Sequence, residues 1–418
     1  MSELNVFLFD DLLGGEVHVG ELTRTLGPRG HAVRFQYAQS WIDQTAPVPS
    51  FALDTELILA PGAYHAAAGT QHLTAAFQDC SPDRWGVILM KQREAMEAKA
   101  QRQPMRTLTS WDYLVGVSDA ARMGAIRLRA KTGGPYLDDR SIAALPVTDL
   151  RSIEGVAAKI EEGKTEFTAD EERWIAQLFI QGSPLGGARP KASFRDTDGS
   201  LWLAKFPSNG DTEDVGLWEL IVRQIAWTAG VAMPDARAIR FSDRGHTFAV
   251  KRFDRTPAAR RCYASAFNLL GATESEGRSY VEIAELIADV GATSRIDEQL
   301  EQLFRRVVFG ILVGNRDDHL RNHGFLRAAD GWELSPAFDI NPNPAKQVHV
   351  LNIDEADPRP TIESAMETTE FYRLKRSRAE QIISDVRVAV SRWQDVAKSL
   401  GAKRSEIAAM TAAFDHNR

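Results

Sequence analysis

The thirteen residues GNRDDHLRNHGFL (314–326) contain two aspartates, two histidines, two arginines and two asparagines. A long apolar helical pattern, IDEQLEQLFRRVVFGILVGN, leads into this stretch, and the strand-like HGFL closes it. A loop enclosed by core on both sides seldom needs so many groups that bind metals or exchange protons. The stretch therefore indicates chemistry, and the spacing of its residues narrows which chemistry.

A zinc site is one interpretation of this stretch. His319 and His323 are four residues apart, so a helix would place them on one face. The HExxH motif of zinc hydrolases has glutamate directly after the first histidine, whereas this chain has Leu320 there. Gly324 also disfavours a continuing helix. The pattern therefore argues against zinc hydrolysis.

Phosphoryl transfer fits the spacing better. Asp317 and Asn322 are separated as D-x-x-x-x-N, the spacing of the catalytic aspartate and the magnesium-binding asparagine in protein-kinase loops. Asp318 competes for the role of base, but the spacing favours Asp317. His319 and Arg321 are predicted to brace the loop, with His319 a less favoured base. A polar turn that caps a helix is the structural alternative.

A second metal ligand is expected after a short hairpin. HGFL and WELS are predicted strands around an AADG turn, and Asp339 follows in AFDINP. Magnesium prefers oxygen ligands, often one or two carboxylates completed by phosphate oxygens. We therefore expect Asn322 and Asp339 to hold Mg²⁺.

The nucleotide must be held by another part of the chain. GSPLGGARPKAS (182–193) is rich in glycine and basic residues but lacks the Walker A pattern. Its glycines would let backbone N–H groups approach phosphate oxygens, while its basic side chains add charge. A plain turn is the alternative. The candidate ATP-binding residues of this segment are Gly186, Gly187, Ala188, Arg189 and Lys191.

Three further stretches carry candidate ATP-binding residues. Lys205 lies between apolar residues in LWLAKFP, where a lysine needs a buried partner or a ligand. Glu219, in the following helix, is its candidate partner, although a solvated helix position explains that glutamate equally well. FAVKRFDR (248–255) offers Lys251, Arg252 and Phe253 to an adenine ring, and an edge strand with a surface Arg–Asp pair is the alternative.

The order of predicted elements gives an α+β fold. It has a two-lobed, protein-kinase-like core, a β-containing N-terminal subdomain and an all-helical C-terminal lobe. The expected domains are an N-terminal domain at 1–130, a small lobe with the glycine-rich loop at 140–255 and a helical lobe with the catalytic and metal-binding loops at 256–418. AKTGGPYLDD (130–139) is predicted to be a linker.

Composition limits the classes of function. The 418 residues carry a net charge of −7, which argues against autonomous binding to nucleic acid. No apolar run approaches the ~18 residues of a membrane span, and the N-terminus lacks the pattern of a signal peptide. Cys80 and Cys262 form no metal-ligand spacing and are expected to be incidental thiols of a cytoplasmic protein.

Together these motifs resemble those of the HipA family, the serine/threonine kinase toxins of bacterial toxin–antitoxin pairs. QDCSPDRWG and YLVGVSDAARMGAIRL look like its N-terminal signatures. GSPLGGARPKA, LAKFPS, VKRFDR, LVGNRDDHLRNHGFL and LSPAFDINP look like its kinase core, in the same order. The resemblance covers nearly the whole chain.

The resemblance implies Mg-ATP as phosphoryl donor and a protein serine or threonine as acceptor. Toxins of the family phosphorylate aminoacyl-tRNA synthetases, and they bind a small helix-turn-helix antitoxin and, through it, DNA. No membrane partner is implied. The resemblance makes Asp317 the catalytic aspartate, Asn322 and Asp339 the magnesium ligands and Lys205 the phosphate-binding lysine. Ser183 is the matching position for an autophosphorylated loop serine.

Two other functions stay open at this point. One is a small-molecule kinase of related architecture. The other is a non-catalytic nucleotide-binding co-repressor that acts only through an antitoxin partner. The presence of Asp317, Asn322 and Asp339 argues against the second, because a pseudokinase has no need of all three.

Overall fold

The chain folds into two compact units, each made of two separated segments. The computed structural model describes residues 2–27, 30–66, 73–138, 145–164, 166–181, 187–355 and 358–414. Unit 1 comprises Met1–Gly210 and Lys251–Ala264, and unit 2 comprises Asp211–Val250 and Ser265–Arg418. This division does not follow the predicted domain boundaries, so the three consecutive domains stay a prediction.

Unit 1 combines an antiparallel sheet with helices and a second group of strands. Its strands are β1 (Ser2–Asp10), β2 (Gly15–Gly27), β3 (Gly30–Tyr37), β4 (Tyr64–His65), β5 (Ile126–Arg129), β6 (Leu145–Pro146), β7 (Lys191–Arg195) and β8 (Leu201–Lys205). Its helices are α1 (Gln39–Ile42), α2 (Ala75–Asp79), α3 (Arg84–Gln101), α4 (Ser110–Gly116), α5 (Leu150–Glu161) and α6 (Ala169–Gln181).

The predicted N-terminal strands form a five-stranded sheet in the order β4-β3-β2-β1-β5. All of its neighbouring strands run antiparallel. Apolar side chains on one face, including Phe35, pack against helices, and the rings of Phe35 and Phe77 lie 5.5 Å apart. Trp41 on α1 is fully buried. Apolar and polar residues alternate in these strands, so one face of the sheet is apolar and packs against the core.

The segment predicted to be a linker is folded against β5 as far as residue 138. The Leu137 N–H donates to the Leu128 carbonyl at 2.8 Å. The Tyr136 ring lies beneath two guanidinium groups, with its centroid 3.2 Å from Arg127 and 4.0 Å from Arg129. The linker prediction is therefore wrong for these residues, because a hydrogen bond and cation–π contacts hold them against β5.

Strands β7 and β8 form a hairpin. They pair antiparallel from Lys191 opposite Lys205 to Arg195 opposite Leu201. The turn is closed by the Gly199 N–H, which donates to the Asp196 carbonyl at 2.9 Å. Strand β6 pairs parallel to β7. The hairpin thus fixes which residues of the two strands face each other.

Unit 2 is mostly helical. Its strands are β9 (Ala236–Ser242), β10 (Gly245–Lys251), β11 (Tyr263–Ser265), β12 (Gly324–Ala328) and β13 (Gly331–Leu334), of which β10 and β11 cross the boundary between the units. Its helices are α7 (Val215–Thr228), α8 (Ala266–Leu269), α9 (Tyr280–Val290), α10 (Ile296–Val313), α11 (Ile362–Glu367), α12 (Arg376–Val390), α13 (Trp393–Ser399) and α14 (Arg404–Phe414).

Helix α10 is the centre of unit 2 and packs against α9, α11, α12 and α14. A cluster of aromatic rings closes the core at the C-terminal helices. Trp393 stacks on Phe414 at 4.3 Å, and Trp218 of α7 lies 6.2 Å from Trp393. The C-terminal helices thus contribute apolar side chains to the core of unit 2.

Two expectations from composition are also answered. Cys80 and Cys262 are both buried and unpaired with each other, so neither is part of a disulfide. Within the ranges given above, the structure contains no helix with the length and apolar character needed to cross a bilayer.

Candidate functional site

Helix α10 ends at Gly314, directly before the polar stretch. Gly314 has a φ of 70°, in the left-handed region that glycine adopts without a steric penalty. A Cβ added here would lie 2.6 Å from the Ala413 carbonyl oxygen of α14. Both the backbone conformation and this close approach therefore require glycine, which sets the direction in which the loop leaves the helix.

Two loops of unit 2, residues 314–322 and 339–346, are hydrogen-bonded to each other. Two N–H groups of the second loop donate to the first: Asn341 to Asn315 Oδ1 at 3.2 Å, and Asn343 to the Gly314 carbonyl at 2.9 Å. Between them in sequence, β12 and β13 form the predicted antiparallel hairpin. The hairpin prediction is confirmed, and it returns the chain to the polar stretch.

The Asp317 side chain lies at the surface of this pair of loops. It is 66% exposed, and Oδ1 accepts a hydrogen bond from Lys346 Nζ of the second loop. Lys346 is itself 46% exposed. Asp317 thus offers a carboxylate that an incoming hydroxyl group can reach.

Asp318, its neighbour, is buried in different surroundings. Its Oδ2 accepts hydrogen bonds from Tyr280 Oη at 2.8 Å and from His323 Nε2 at 3.1 Å. Burial alone would raise the pKa of Asp318, but the charge and hydrogen bond of His323, with the bond from Tyr280, outweigh burial and lower the pKa to about 2. The hydrogen bonds of Asp318 therefore hold the loop in place from the protein interior, and its carboxylate is not accessible to a substrate.

A buried polar chain continues beneath the loop. Arg316 Nη1 donates to His349 Nε2 at 3.0 Å, and His349 Nδ1 lies 3.5 Å from Tyr280 Oη. Burial, followed by the positive charge of Arg316, lowers the pKa of His349 to about 4. A neutral imidazole that accepts at Nε2 carries its proton on Nδ1, which faces Tyr280. The hydrogen bonds thus run in one direction: Arg316 donates to His349, His349 to Tyr280, and Tyr280 to Asp318.

The residues expected to bind magnesium provide oxygen atoms in the same unit. Asn322 ends the 3₁₀ turn Leu320–Asn322 and is 6% exposed. Asp339 has a φ of 59°, which is unusual for a residue with a side chain. Asn341 Nδ2 donates to Asp339 Oδ1 at 3.4 Å, while the buried Asn341 Oδ1 has no hydrogen-bond partner among the described residues. Carboxylate and amide oxygens of this kind fit a magnesium ion.

The histidines do not form a zinc site. His323 Nε2 bonds to Asp318, and His319 precedes a 3₁₀ turn rather than lying one helical turn before His323. In the described part of the chain, no group of three or more His, Cys, Asp or Glu side chains is arranged around a metal position. Arg321 lies over the Phe267 ring at 3.6 Å, a contact that suits the predicted bracing role.

The glycine-rich segment is described only from residue 187 onward, so Ser183 and Gly186 lie outside the described residues. Gly187 has a φ of 94°, and Ala188 beside it is exposed. Arg189 Nη1 donates to the Phe206 carbonyl at 3.1 Å. Lys191, predicted to add charge for phosphates, is fully buried and bonds to Asp83 Oδ2 at 2.6 Å. Its charge therefore has a partner within unit 1.

The other candidate ATP-binding residues are buried or half-buried. In unit 1, Lys205 ends β8 and is 9% exposed, which agrees with its apolar neighbours in the sequence. In unit 2, Glu219 on α7 is 6% exposed, so the solvated helix position considered for it is wrong. The pairing of Lys205 with Glu219 stays a prediction.

The segment after β10 differs from the edge strand considered for it. Arg252 and Asp254 do pair, at 2.7 Å, but both side chains are 1% exposed rather than at the surface. Lys251 ends β10, and the Phe253 ring lies 6.2 Å from that of Tyr263. A contact of Lys251 and Phe253 with adenine stays a prediction.

A family model described as the HipA-like C-terminal domain matches residues 183–393. This range contains the glycine-rich segment, both hydrogen-bonded loops and most of unit 2. The chain belongs to the HipA-like family.

Two curated relatives of this HipA-like chain are kinases by name. A putative kinase, Y4dM, of Sinorhizobium fredii is 27% identical over 160 residues, which are 34% of this chain and 37% of that protein. The serine/threonine-protein kinase toxin HipA of Shewanella oneidensis is 25% identical over 265 residues, which are 55% of this chain and 59% of that protein. The matched part thus spans less than two thirds of either relative.

The fold of the HipA-like chain also matches a solved structure. That structure is the Shewanella oneidensis HipA in complex with HipB and its operator DNA, with a TM-score of 0.64 and 14% identity. The match covers 99% of this chain and 95% of that chain. It confirms the predicted α+β, HipA-type fold.

Sequence reasoning missed several residues of the HipA-like site. Lys346 and Asn341 lie in the same stretch as Asp339. The basic and amide groups of this stretch gave a local signal, but only Asp339 was predicted to belong to the site. Tyr280 and His349 gave no signal, because each is far along the chain from its partner. Tyr280 lies 38 residues before Asp318, and His349 lies 69 residues after Tyr280.

Proposed function

We propose that this chain is a protein kinase that transfers the terminal phosphoryl group of ATP, with Mg²⁺, to a serine or threonine hydroxyl group. The observation that carries the proposal is the exposed carboxylate of Asp317, on a loop hydrogen-bonded to the loop of Asp339. Membership of the HipA-like family and the kinase names of two relatives support it.

Asp317 would act on the acceptor. Its carboxylate would accept the proton of the incoming hydroxyl group or align that group for attack. Since Lys346 bonds to Oδ1, Oδ2 is the atom available for the hydroxyl group. The buried bonds of Asp318 hold the adjacent backbone, while His319 and Arg321 would brace the loop from its other side.

Other residues would act on the donor. Asn322 and Asp339 would hold the magnesium ion, and Lys205 would contact phosphate oxygens. Backbone amides of residues 182–188, with Arg189, would approach the triphosphate, and Lys251 and Phe253 the adenine ring. When bound, the ion would offset the negative charge that the phosphate oxygens carry in the transition state.

The biological role that fits best is the toxin of a toxin–antitoxin pair. Its acceptor would be a translation protein such as an aminoacyl-tRNA synthetase, and its partner a helix-turn-helix antitoxin. The relative from Shewanella oneidensis is named as a kinase toxin, and its solved structure contains HipB and operator DNA. The net charge of −7 supports DNA binding only through such a partner. A mobility-shift assay with and without the antitoxin tests this point.

Intact-mass spectrometry after incubation with Mg-ATP tests the kinase activity. We expect protein-bound phosphate from the wild-type chain, on itself or on an added acceptor protein. Asp317→Asn should reduce its rate of formation by about 10²-fold or more, as expected for loss of a general base. Fragmentation would show whether Ser183 is the residue modified. Nearly wild-type transfer by Asp317→Asn would refute the assignment of Asp317.

Measurements of ATP binding and ATP turnover separate the two alternatives. ATP turnover that modifies added small hydroxyl compounds but no protein would identify a small-molecule kinase. ATP binding without turnover, with or without an antitoxin, would identify a nucleotide-binding co-repressor.

A further inference from the structure

The N-terminal stretch SPDRWG (81–86) contacts the end of the glycine-rich segment. Two donors of Trp85 reach that segment: its backbone N–H donates to the Gly187 carbonyl at 3.4 Å, and its indole Nε1 donates to the Lys191 carbonyl at 3.0 Å. Trp85 is fully buried. One residue of the N-terminal part thus holds residues 187–191 at both ends.

A buried ion pair strengthens this contact. Lys191 Nζ donates to Asp83 Oδ2 at 2.6 Å and to the Gly187 carbonyl at 3.0 Å. The Lys191 and Asp83 side chains are 0% and 7% exposed. Asp83 also caps α3, because its Oδ1 accepts the Gly86 N–H at 2.8 Å. Asp83 therefore links the start of α3 to the ammonium group of Lys191. A buried ammonium group needs a partner of opposite charge, and Asp83 is that partner.

The position of Lys191 brings its charge next to that of Lys205. The two lysines are directly opposite each other in the β7–β8 ladder, so their side chains leave the same face of the hairpin. Like charges in directly opposite positions repel each other. Since Asp83 balances the charge of Lys191, Lys205 lies beside a neutral ion pair rather than beside an isolated ammonium group.

We infer that Asp83 and Trp85 are positioning residues of the nucleotide site. They fix the backbone of residues 187–191, and Asp83 sets the charge beside Lys205. This inference rests on the proposed function and gives the SPDRWG stretch a role in ATP binding. Loss of either contact weakens ATP binding and leaves the acceptor step unchanged, because Asp317 acts on the acceptor hydroxyl group and not on the nucleotide.

The test compares Asp83→Asn, Lys191→Met, Trp85→Phe and the Asp83→Asn/Lys191→Met pair. We expect the Kd and KM for ATP to rise about tenfold in the first two variants, a factor typical of losing a charged contact. The kcat should stay within about twofold. Trp85→Phe, which loses one donor, should show a smaller rise. The double variant should be no weaker than either single variant, because the two residues act as one pair.

Asp112→Asn is the matched control. It removes a carboxylate that caps α4 in the same unit, without contact to residues 187–191. It should leave the Kd for ATP unchanged. Hydrogen exchange of peptides covering residues 187–195 is a readout that needs no ATP. Exchange should be faster in Asp83→Asn than in the wild type and in Asp112→Asn.

The outcomes separate the inference from the proposed function. A wild-type chain that binds no ATP would refute the proposed function, and with it the role of Asp83 and Trp85 in nucleotide binding. The exchange data would still show whether these two residues hold residues 187–191. A wild-type chain that binds ATP, with an unchanged Kd in folded Asp83→Asn and Trp85→Phe, would overturn the inference alone.

Discussion

Lys346 Nζ donates a hydrogen bond to Asp317 Oδ1, and both side chains remain partly exposed, at 46% and 66%. Exposed ion pairs contribute little to stability, because solvent screens them. The loop around Lys346 is nevertheless ordered: Asn343 Oδ1 accepts the N–H groups of Ala345 and Lys346 at 3.0 and 3.2 Å. We therefore expect the contact to orient the Asp317 carboxylate rather than to stabilise the fold.

Lys346→Met should reduce kcat for phosphotransfer about tenfold, because a carboxylate free to rotate is less often aligned with the acceptor. The KM for ATP and the melting temperature should change little. Steady-state kinetics and thermal unfolding measure these quantities. Lys346→Arg, which keeps a donor, should recover most of the rate.

Lys398→Met is the control for this prediction. Lys398 also forms an exposed ion pair, with Asp395 at 3.8 Å, but lies on α13. Its replacement should leave all three quantities unchanged. An unaltered kcat in Lys346→Met would show that Asp317 needs no orienting partner.

Replacing Asp318 should have a structural effect that replacing Asp317 does not. Asp318→Asn removes the carboxylate that is hydrogen-bonded to His323 and accepts from Tyr280. Breaking buried charged hydrogen bonds costs on the order of 2 kcal/mol of unfolding free energy. Asp317→Asn should stay within about 0.5 kcal/mol of the wild type, as exposed substitutions do. Urea unfolding followed by circular dichroism gives both values, and equal stability of the two variants would contradict the structure.

The left-handed backbone of Asp339 gives a third prediction. A side chain at a φ of 59° is strained, less so for Asp and Asn than for Ala, and glycine is not strained. Replacement of Asp339 by Gly, Asn or Ala should abolish phosphotransfer in each case. The free energy of unfolding should be about 1 kcal/mol higher for Asp339→Gly than for Asp339→Ala.

Asp289, exposed on α9, is the control for Asp339 because its backbone is helical. There the order should reverse, with Asp289→Ala about 1 kcal/mol more stable than Asp289→Gly. The same order at both positions would show that Asp339 is not strained.

The sequence predicted those parts of the fold and site that depend on local pattern. Helix α10 and the β12–β13 hairpin follow from periodicity and turn residues, and these two elements bring the loop of Asp317 to that of Asp339. The partner of Lys191 could not be predicted, because Asp83 lies 108 residues away. Local spacing contains no information about which distant side chain will occupy the same buried space.

Tyr280 and His349 illustrate the same limit within unit 2. Both are buried, and neither belongs to a motif whose local spacing indicates a site. Their role arises only when α9 and residue 349 pack beneath Arg316 and Asp318. The buried support of the loop is thus a product of tertiary packing.

His349 gives this support a pH dependence. Its pKa is lowered from 6.5 to about 4 by burial and by Arg316, so between these values the unfolded chain binds a proton that the folded chain does not. Stability should therefore fall by about 3 kcal/mol as the pH drops from 7 to 4. His349→Gln, which keeps an acceptor for Arg316, should lose most of this dependence, whereas the exposed His65→Gln should retain it. Hydrogen exchange of α9 amides at several pH values measures the change, and identical profiles in wild type and His349→Gln would refute the assignment.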